Sequence, residues 1–238
     1  MRLRPISRAG LKLVSTVHSS PSLLSARWRR IEVAIAILAI AALLIASAMC
    51  QSRQDQLKKS LNSKGVIFAN GDTHSLLSSD AGETWDVGSC VMLPDGVTLT
   101  DALVDEITAI RGVDCLCASY AIVPDGQFQK ICNRYNLARL ELEGTSLSHT
   151  DMQSVVHVKS LRSLNLGNTP IGDSEVSKIA LLDNLRELRI GRTRVTIGGV
   201  RQLYRNKNLV LLDLQGITLS DDEATEIRGA LPNTEILW

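Results

Sequence analysis

Aromatic side chains are scarce in this chain: three Trp, three Tyr and two Phe among 238 residues, so any core must be aliphatic. Catalytic signatures are missing too. No Ser, His and Asp fall in an order that suggests a nucleophilic triad, and no glycine-rich loop is placed to cradle a phosphate; Gly198-Gly199 sits at a predicted helix start, where it stands in for capping residues. His74, His149 and His157 lack metal-ligand spacing. Acidic residues are absent from residues 1–30, which carry Arg2, Arg4, Arg8, Lys12, Arg27, Arg29 and Arg30. With a net charge of +1 overall, the rest of the chain is acidic, near −6. An acidic body argues against nucleic-acid binding. Nothing points to an enzyme, a cofactor or a metal.

What the chain does have is one long apolar run. Ile31–Cys50 is interrupted only by Glu32 and Ser47, about the 20 residues a helix needs to cross a bilayer core. Arg27, Arg29 and Arg30 precede it, and the mixed charges Arg53, Asp55, Lys58 and Lys59 follow. The positive-inside bias therefore puts residues 1–30 in the cytoplasm, against anionic lipid, and the remainder on the far side. Ala46-Ser47-Ala48 also has the form of a signal-peptidase site, which would give a secreted protein cleaved near Ala48. An Arg-rich, Ser-rich, acid-free start is shared with mitochondrial presequences. An uncleaved anchor is the preferred reading.

Beyond the run, an apolar doublet returns at a fixed interval: Leu140/Leu142, Leu164/Leu166, Leu188/Ile190, Leu212/Leu214, Ile236/Trp238. Alternation within each doublet predicts a short strand with one buried face. Between doublets, the columns Val104/Phe128/Met152/Val176/Val200/Ala224 and Ile107/Ile131/Val155/Ile179/Leu203/Ile227 make the apolar stripe of a short helix. Ser148-x-x-Asp151 and Ser220-x-x-Glu223 have capping-box form at the helix starts. Thr145, Thr169 and Thr193 stand at the bend leaving each strand, where a hydroxyl column can bond backbone. A strand, a bend, a helix and a return make one coil of a solenoid whose core forms only when coils stack. A degenerate copy at Val113, Leu116, Ala118, Ala121 and Val123 precedes the clear ones, and the array starts near Val97.

Residues 51–64 read as a juxtamembrane helix or linker broken at Gly65, and 65–96 as a small β-segment capping the first coil. Val66-Ile67-Phe68 before Asn70-Gly71 suggests a strand entering a tight turn. Ser78–Trp85 resembles the Asp-box of sialidases and other β-propellers, a turn-fixing motif. A single copy implies a hairpin, not a propeller, and only weakly suggests a polysaccharide-associated role. Of five cysteines, Cys50 falls at the membrane boundary, leaving Cys90, Cys115, Cys117 and Cys132 for disulfides. Cys115 and Cys117 flank Leu116 on a strand and point the same way, so a bond from one of them to Cys90 is expected.

Residues between the strand leucines are not needed for the core. They form a candidate binding face of two columns: Arg139, Ser163, Glu187, Leu211 and Glu141, Asn165, Arg189, Asp213, preceded by Cys115 and Cys117 and followed by Glu235 and Leu237. This face is expected to be exposed, with Arg189 beside Asp213 and Glu187 beside Leu211, and with Leu211 and Leu237 as the odd apolar members.

The pattern Leu-x-x-Leu-x-Leu-x-x-Thr-x-Ile of Leu161–Ile171 resembles the ribonuclease-inhibitor-like leucine-rich repeats of many bacterial proteins. A single anchor ahead of such repeats is similar to the membrane-anchored members of that group. Ile217 in place of Thr, and Thr196-Ile197-Gly198 in place of Ser/Thr-Asp, depart from the pattern. The resemblance covers about Val97 to Trp238. It implies an α/β, right-handed leucine-rich-repeat solenoid over 97–238 behind a single transmembrane helix at 31–50, and a non-enzymatic scaffold that binds a protein partner. The alternative is a spacer or self-assembling envelope component that uses Trp238, which either covers the open end or meets a second copy.

Overall fold

The computed structural model describes residues 23–70 and 89–238 of the chain. Two compact units divide it, Met1–Gln56 and Leu57–Trp238. In the first lies most of helix α1 (Leu23–Ser63). Its large apolar side chains, from Val33 to Met49, stay 57–69% exposed, and Ile35–Ser63 holds a window of mean hydropathy 2.2. Such a helix is long and apolar enough to cross a membrane or to serve as a signal sequence. For residues 51–64, helix and linker were both open. The helix forms: α1 continues through Ser63, and Gly65, at φ +83°, takes the left-handed turn that ends it.

The second unit is an α/β structure built on one eight-stranded sheet in sequence order. Strand β1 (Ile67–Asn70) pairs antiparallel with β2 (Ser89–Met92). From β2 onward all pairing is parallel, through β3 (Val113–Cys117), β4 (Arg139–Glu141), β5 (Ser163–Asn165), β6 (Glu187–Arg189), β7 (Leu211–Asp213) and β8 (Glu235–Leu237). One α-helix fills each interval between successive parallel strands: α2 (Asp101–Ala109), α3 (Gln127–Arg134), α4 (His149–Val156), α5 (Asp173–Ile179), α6 (Ile197–Gln202) and α7 (Asp221–Ala230). The coil array therefore begins at β2, ahead of the expected start near Val97. The sequence signal fails there because Ser89–Met92 lacks the leucine pair, having Val91 and Leu93 in its place. Asn70 pairs with Ser89, so Asn70-Gly71 is not a two-residue connection between the paired strands. The Asp-box at 78–85 and His74 lie outside the described residues.

Stacking creates the core. Leu116, Leu140, Leu164, Leu188 and Leu212 are fully buried in line, as are Ile107, Ile131, Val155, Ile179, Leu203 and Ile227 from the helices. Each such side chain contributes about 1.5–3 kcal/mol on burial, which no coil achieves without its neighbours. Leu61, on the last turn of α1, is equally buried in this core, and Lys64 holds Glu106 at 2.6 Å. From β3 onward register advances by 24 residues per strand: Arg139 faces Ser163, Ser163 faces Glu187, and Glu187 faces Leu211.

Local chemistry closes each coil. Ser148 and Ser220 cap α4 and α7, accepting from the backbone of Asp151 and Glu223 at 3.1 and 3.3 Å. At α6 the cap is the Thr196 hydroxyl, which accepts from Gly198 N at 3.1 Å, so the glycine pair does not replace a capping side chain as expected. The threonines bond within their own coil: Thr145, Thr169 and Thr193 donate to Leu142, Leu166 and Ile190 carbonyls at 2.6, 2.5 and 2.7 Å. Side chains stitch one coil to the one before on the return side. Ser160 donates to Leu137 O at 2.8 Å, Asn184 to Lys159 O at 2.8 Å and Asn208 to Asp183 O at 2.9 Å.

Candidate functional site

The two candidate columns form as drawn, with Arg189 beside Asp213 and Glu187 beside Leu211. Their exposure differs from expectation. Arg139, Ser163, Asn165, Glu187 and Leu211 are buried, with Glu187 and Leu211 at 0%, while Glu141, Arg189 and Asp213 keep partial access. The expectation of an open ladder of surface charge, with Leu211 as an exposed apolar contact, is therefore corrected.

The reason is convergence. In-register parallel strands set column mates about 4.8 Å apart, so long side chains lie against one another. The Arg139 guanidinium approaches Glu187 to 3.7 Å and Glu141 to 3.8 Å, and Arg189 reaches Glu187 at 3.7 Å. The Ser163 hydroxyl donates to Glu187 Oε2 at 3.0 Å, whereas Glu187 Oε1 and Arg139 Nη2 have no hydrogen-bond partner. A two-arginine, two-glutamate cluster thus occupies the centre of the face, and desolvation makes it a structural commitment.

Accessible chemistry sits at the bend leaving the strands, which the sequence reading passed over. Gly96, Tyr120, Gly144, Asn168, Arg192 and Gly216 all take positive φ, from +55° to +76°, at the same 24-residue spacing. Glycine adopts this conformation freely; Tyr and Arg do so at a cost of about 1–2 kcal/mol. The repeated Gly96, Gly144 and Gly216 were the available signal. Tyr120 donates its phenol to Glu143 Oε1 at 3.0 Å, and this bond raises the Tyr120 pKa. A Cβ at Gly144 would collide with the Tyr120 ring, so the two positions are matched. Glu143, Asn168, Arg189, Arg192, Asp213 and Gln215 surround a shallow depression beside this bend, with Asn168, Arg192 and Gln215 exposed.

The cysteines resolve as a disulfide between Cys90 and Cys115, facing residues of β2 and β3. Cys117, Cys132 and Cys50 are free; burial pushes the Cys117 and Cys132 thiols up to about 12. Trp238 is 42% exposed, with the Arg228 guanidinium 4.9 Å from its ring centre.

Solved structures similar to this chain include a leucine-rich-repeat protein of Leptospira interrogans, at 19% identity and a TM-score of 0.42, covering 56% of this chain and 39% of that one. Another is an internalin (inlF) of Listeria monocytogenes, at 20% identity and a TM-score of 0.39, covering 56% of this chain and 43% of that one. The chain spans about two fifths of the length of either. No family model and no curated protein matches it.

Proposed function

We propose that this chain is a membrane-anchored leucine-rich-repeat protein that works without catalysis, as a docking module for a protein partner. The apolar part of α1 is the anchor, the basic residues 1–30 are cytoplasmic, and the repeat unit lies on the opposite side of the membrane. Supporting this orientation is the contrast between an acid-free basic start and an acidic remainder. The partner meets the strand-to-bend rim rather than the buried centre of the sheet: Arg192, Asn168 and Gln215, with Arg189 and Asp213 behind them.

The observation that carries this reading is Arg192, a long charged residue held exposed at φ +55° where the next coil uses Gly216 and the one before uses Asn168. Strain retained at an accessible position points to function, since folding alone would favour glycine there. A photo-crosslinking residue at position 192, activated in native membranes, tests it. A reproducible adduct with one different protein supports docking, and no adduct from that position overturns it. Adducts only with a second copy of the chain favour the self-assembly alternative, whose supporting observation is the half-exposed Trp238 beside the last strand.

A further inference from the structure

Among the described residues, three cysteine sulfurs gather on one face of the first two parallel strands. Cys90, Cys115 and Cys117 place their Sγ atoms within 4.8 Å of one another, and Cys90 and Cys117 are 3.7 Å apart. Met92 faces Cys117 across the β2/β3 register and packs against the same cluster. Residues two apart on a strand share a face, so the strand period puts Cys90 and Met92 beside Cys115 and Cys117. Small Ala69, facing Cys90 from β1, leaves the block room.

We infer that, once the Cys90–Cys115 bond is reduced, these residues form a binding site for one soft, thiophilic metal ion of the Cu(I) class, with Cys90, Cys115 and Cys117 as thiolate ligands and Met92 as a thioether ligand. Spacing supports this. Thiolates bound to one metal at about 2.3 Å keep their sulfurs somewhat under 4 Å apart, as Cys90 and Cys117 already are. Facing Cα atoms of Cys90 and Cys115 are 4.3 Å apart, so rotation of two side chains brings the third sulfur into place without moving the strands. A purely redox role for Cys117 is disfavoured. Attack on a disulfide needs the three sulfurs nearly in line, and this array is a triangle.

The donor set selects the metal. Thioether sulfur is a ligand for soft ions, whereas zinc sites draw on thiolate, imidazole and carboxylate. Cys90 and Cys115 are almost completely buried, which suits an ion that needs no water ligand. Arg139, next in register after Cys115 and itself buried, brings positive charge beside the site, and Glu141, which faces Cys117, brings negative charge. Balance is simple. A dithiol reductant delivers two electrons and two protons to the disulfide, and the metal then displaces protons from the thiols.

The test uses the full-length chain in detergent, reduced with a dithiol, freed of reductant under anaerobic conditions and titrated with Cu(I) against a colorimetric Cu(I) chelator. Expected are one copper per chain beyond any held by Cys50 and Cys132, with thiolate-to-metal absorption in the ultraviolet, and none at this site in untreated protein with its disulfide intact. Cys117→Ser keeps the Cys90–Cys115 pair and hence the fold, and should remove that copper. Met92→Leu keeps all three thiols and should weaken binding about tenfold to a hundredfold. Copper retained equally by Cys117→Ser, or by the unreduced protein, would overturn the assignment.

Discussion

Replacing Glu187 by alanine should unfold the repeat unit more readily than any surface change could. Its carboxylate is fully buried and faces two guanidinium groups at 3.7 Å. At an effective dielectric of about 20, each such contact amounts to about 4 kcal/mol of attraction, most of it cancelled by the desolvation of three charges. The intact cluster therefore adds little net stability, and Glu187 Oε1 and Arg139 Nη2 forgo hydrogen bonds altogether. Removing the glutamate is different, because the buried Arg139 and the partly accessible Arg189 lose their shared counter-ion. The general cost is about 3–5 kcal/mol; Arg139 keeps Glu141 at 3.8 Å, so the lower end, about 3 kcal/mol, applies. In a unit of this size that lowers the melting temperature by roughly 6–12 °C. Thermal and urea unfolding followed by circular dichroism would measure it. Glu187→Gln, which preserves an acceptor for the Ser163 hydroxyl, should lose somewhat less. Converting Arg139, Glu187 and Arg189 together to Met, Leu and Met should recover most of the loss. A Glu187→Ala shift below about 1 kcal/mol would refute the reasoning, since that is the value of an exposed pair.

The remaining predictions concern single contacts. Asp151, buried in α4, accepts from Gly126 N at 3.2 Å and Phe128 N at 3.0 Å of the preceding coil, and from Ser148 Oγ at 2.7 Å; Asp151→Ala should cost about 2–4 kcal/mol, read as a lower urea midpoint at unchanged slope. The buried Tyr135 phenol donates to Ile107 O at 2.5 Å and Ile110 O at 3.0 Å, so Tyr135→Phe should cost about 1–2 kcal/mol in the same assay. Hydrogen bonding to Arg201 holds the Glu226 carboxyl down to about 2, from 4.5. This depressed value makes its contribution complete above about pH 4.5 and lost as pH falls toward 2, and carboxyl NMR should show the Glu226 titration move up in Arg201→Ala, where only the Tyr204 hydrogen bond still lowers it. Arg192→Gly should raise stability by about 1 kcal/mol through relief of the left-handed backbone while abolishing partner capture at the rim; a destabilised variant that still captures the partner would contradict both parts.

The sequence alone determined the stacking. A doublet at constant spacing dictates strands in one register, and a three-residue offset between the helical columns places one apolar stripe per coil, because both periods follow from backbone geometry. Strands β3 to β8, the helices and the buried columns were legible for this reason; a bond from Cys90 was expected, but its partner, Cys115 and not Cys117, was left to the structure. Only the tertiary structure decided how deep the strand face lies. Two columns of alternating residues look solvent-exposed along a line, but stacking at strand spacing drives Arg139, Glu187 and Arg189 together and removes Ser163 and Leu211 from water. The left-handed bend was half legible, in Gly96, Gly144 and Gly216, and obscured where Tyr120, Asn168 and Arg192 hold the same conformation under constraint from adjoining coils. The sulfur block was hidden for a related reason. Cys90 and Met92 have no leucine pattern to mark their strand, and only pairing through the sheet brings them against Cys115 and Cys117.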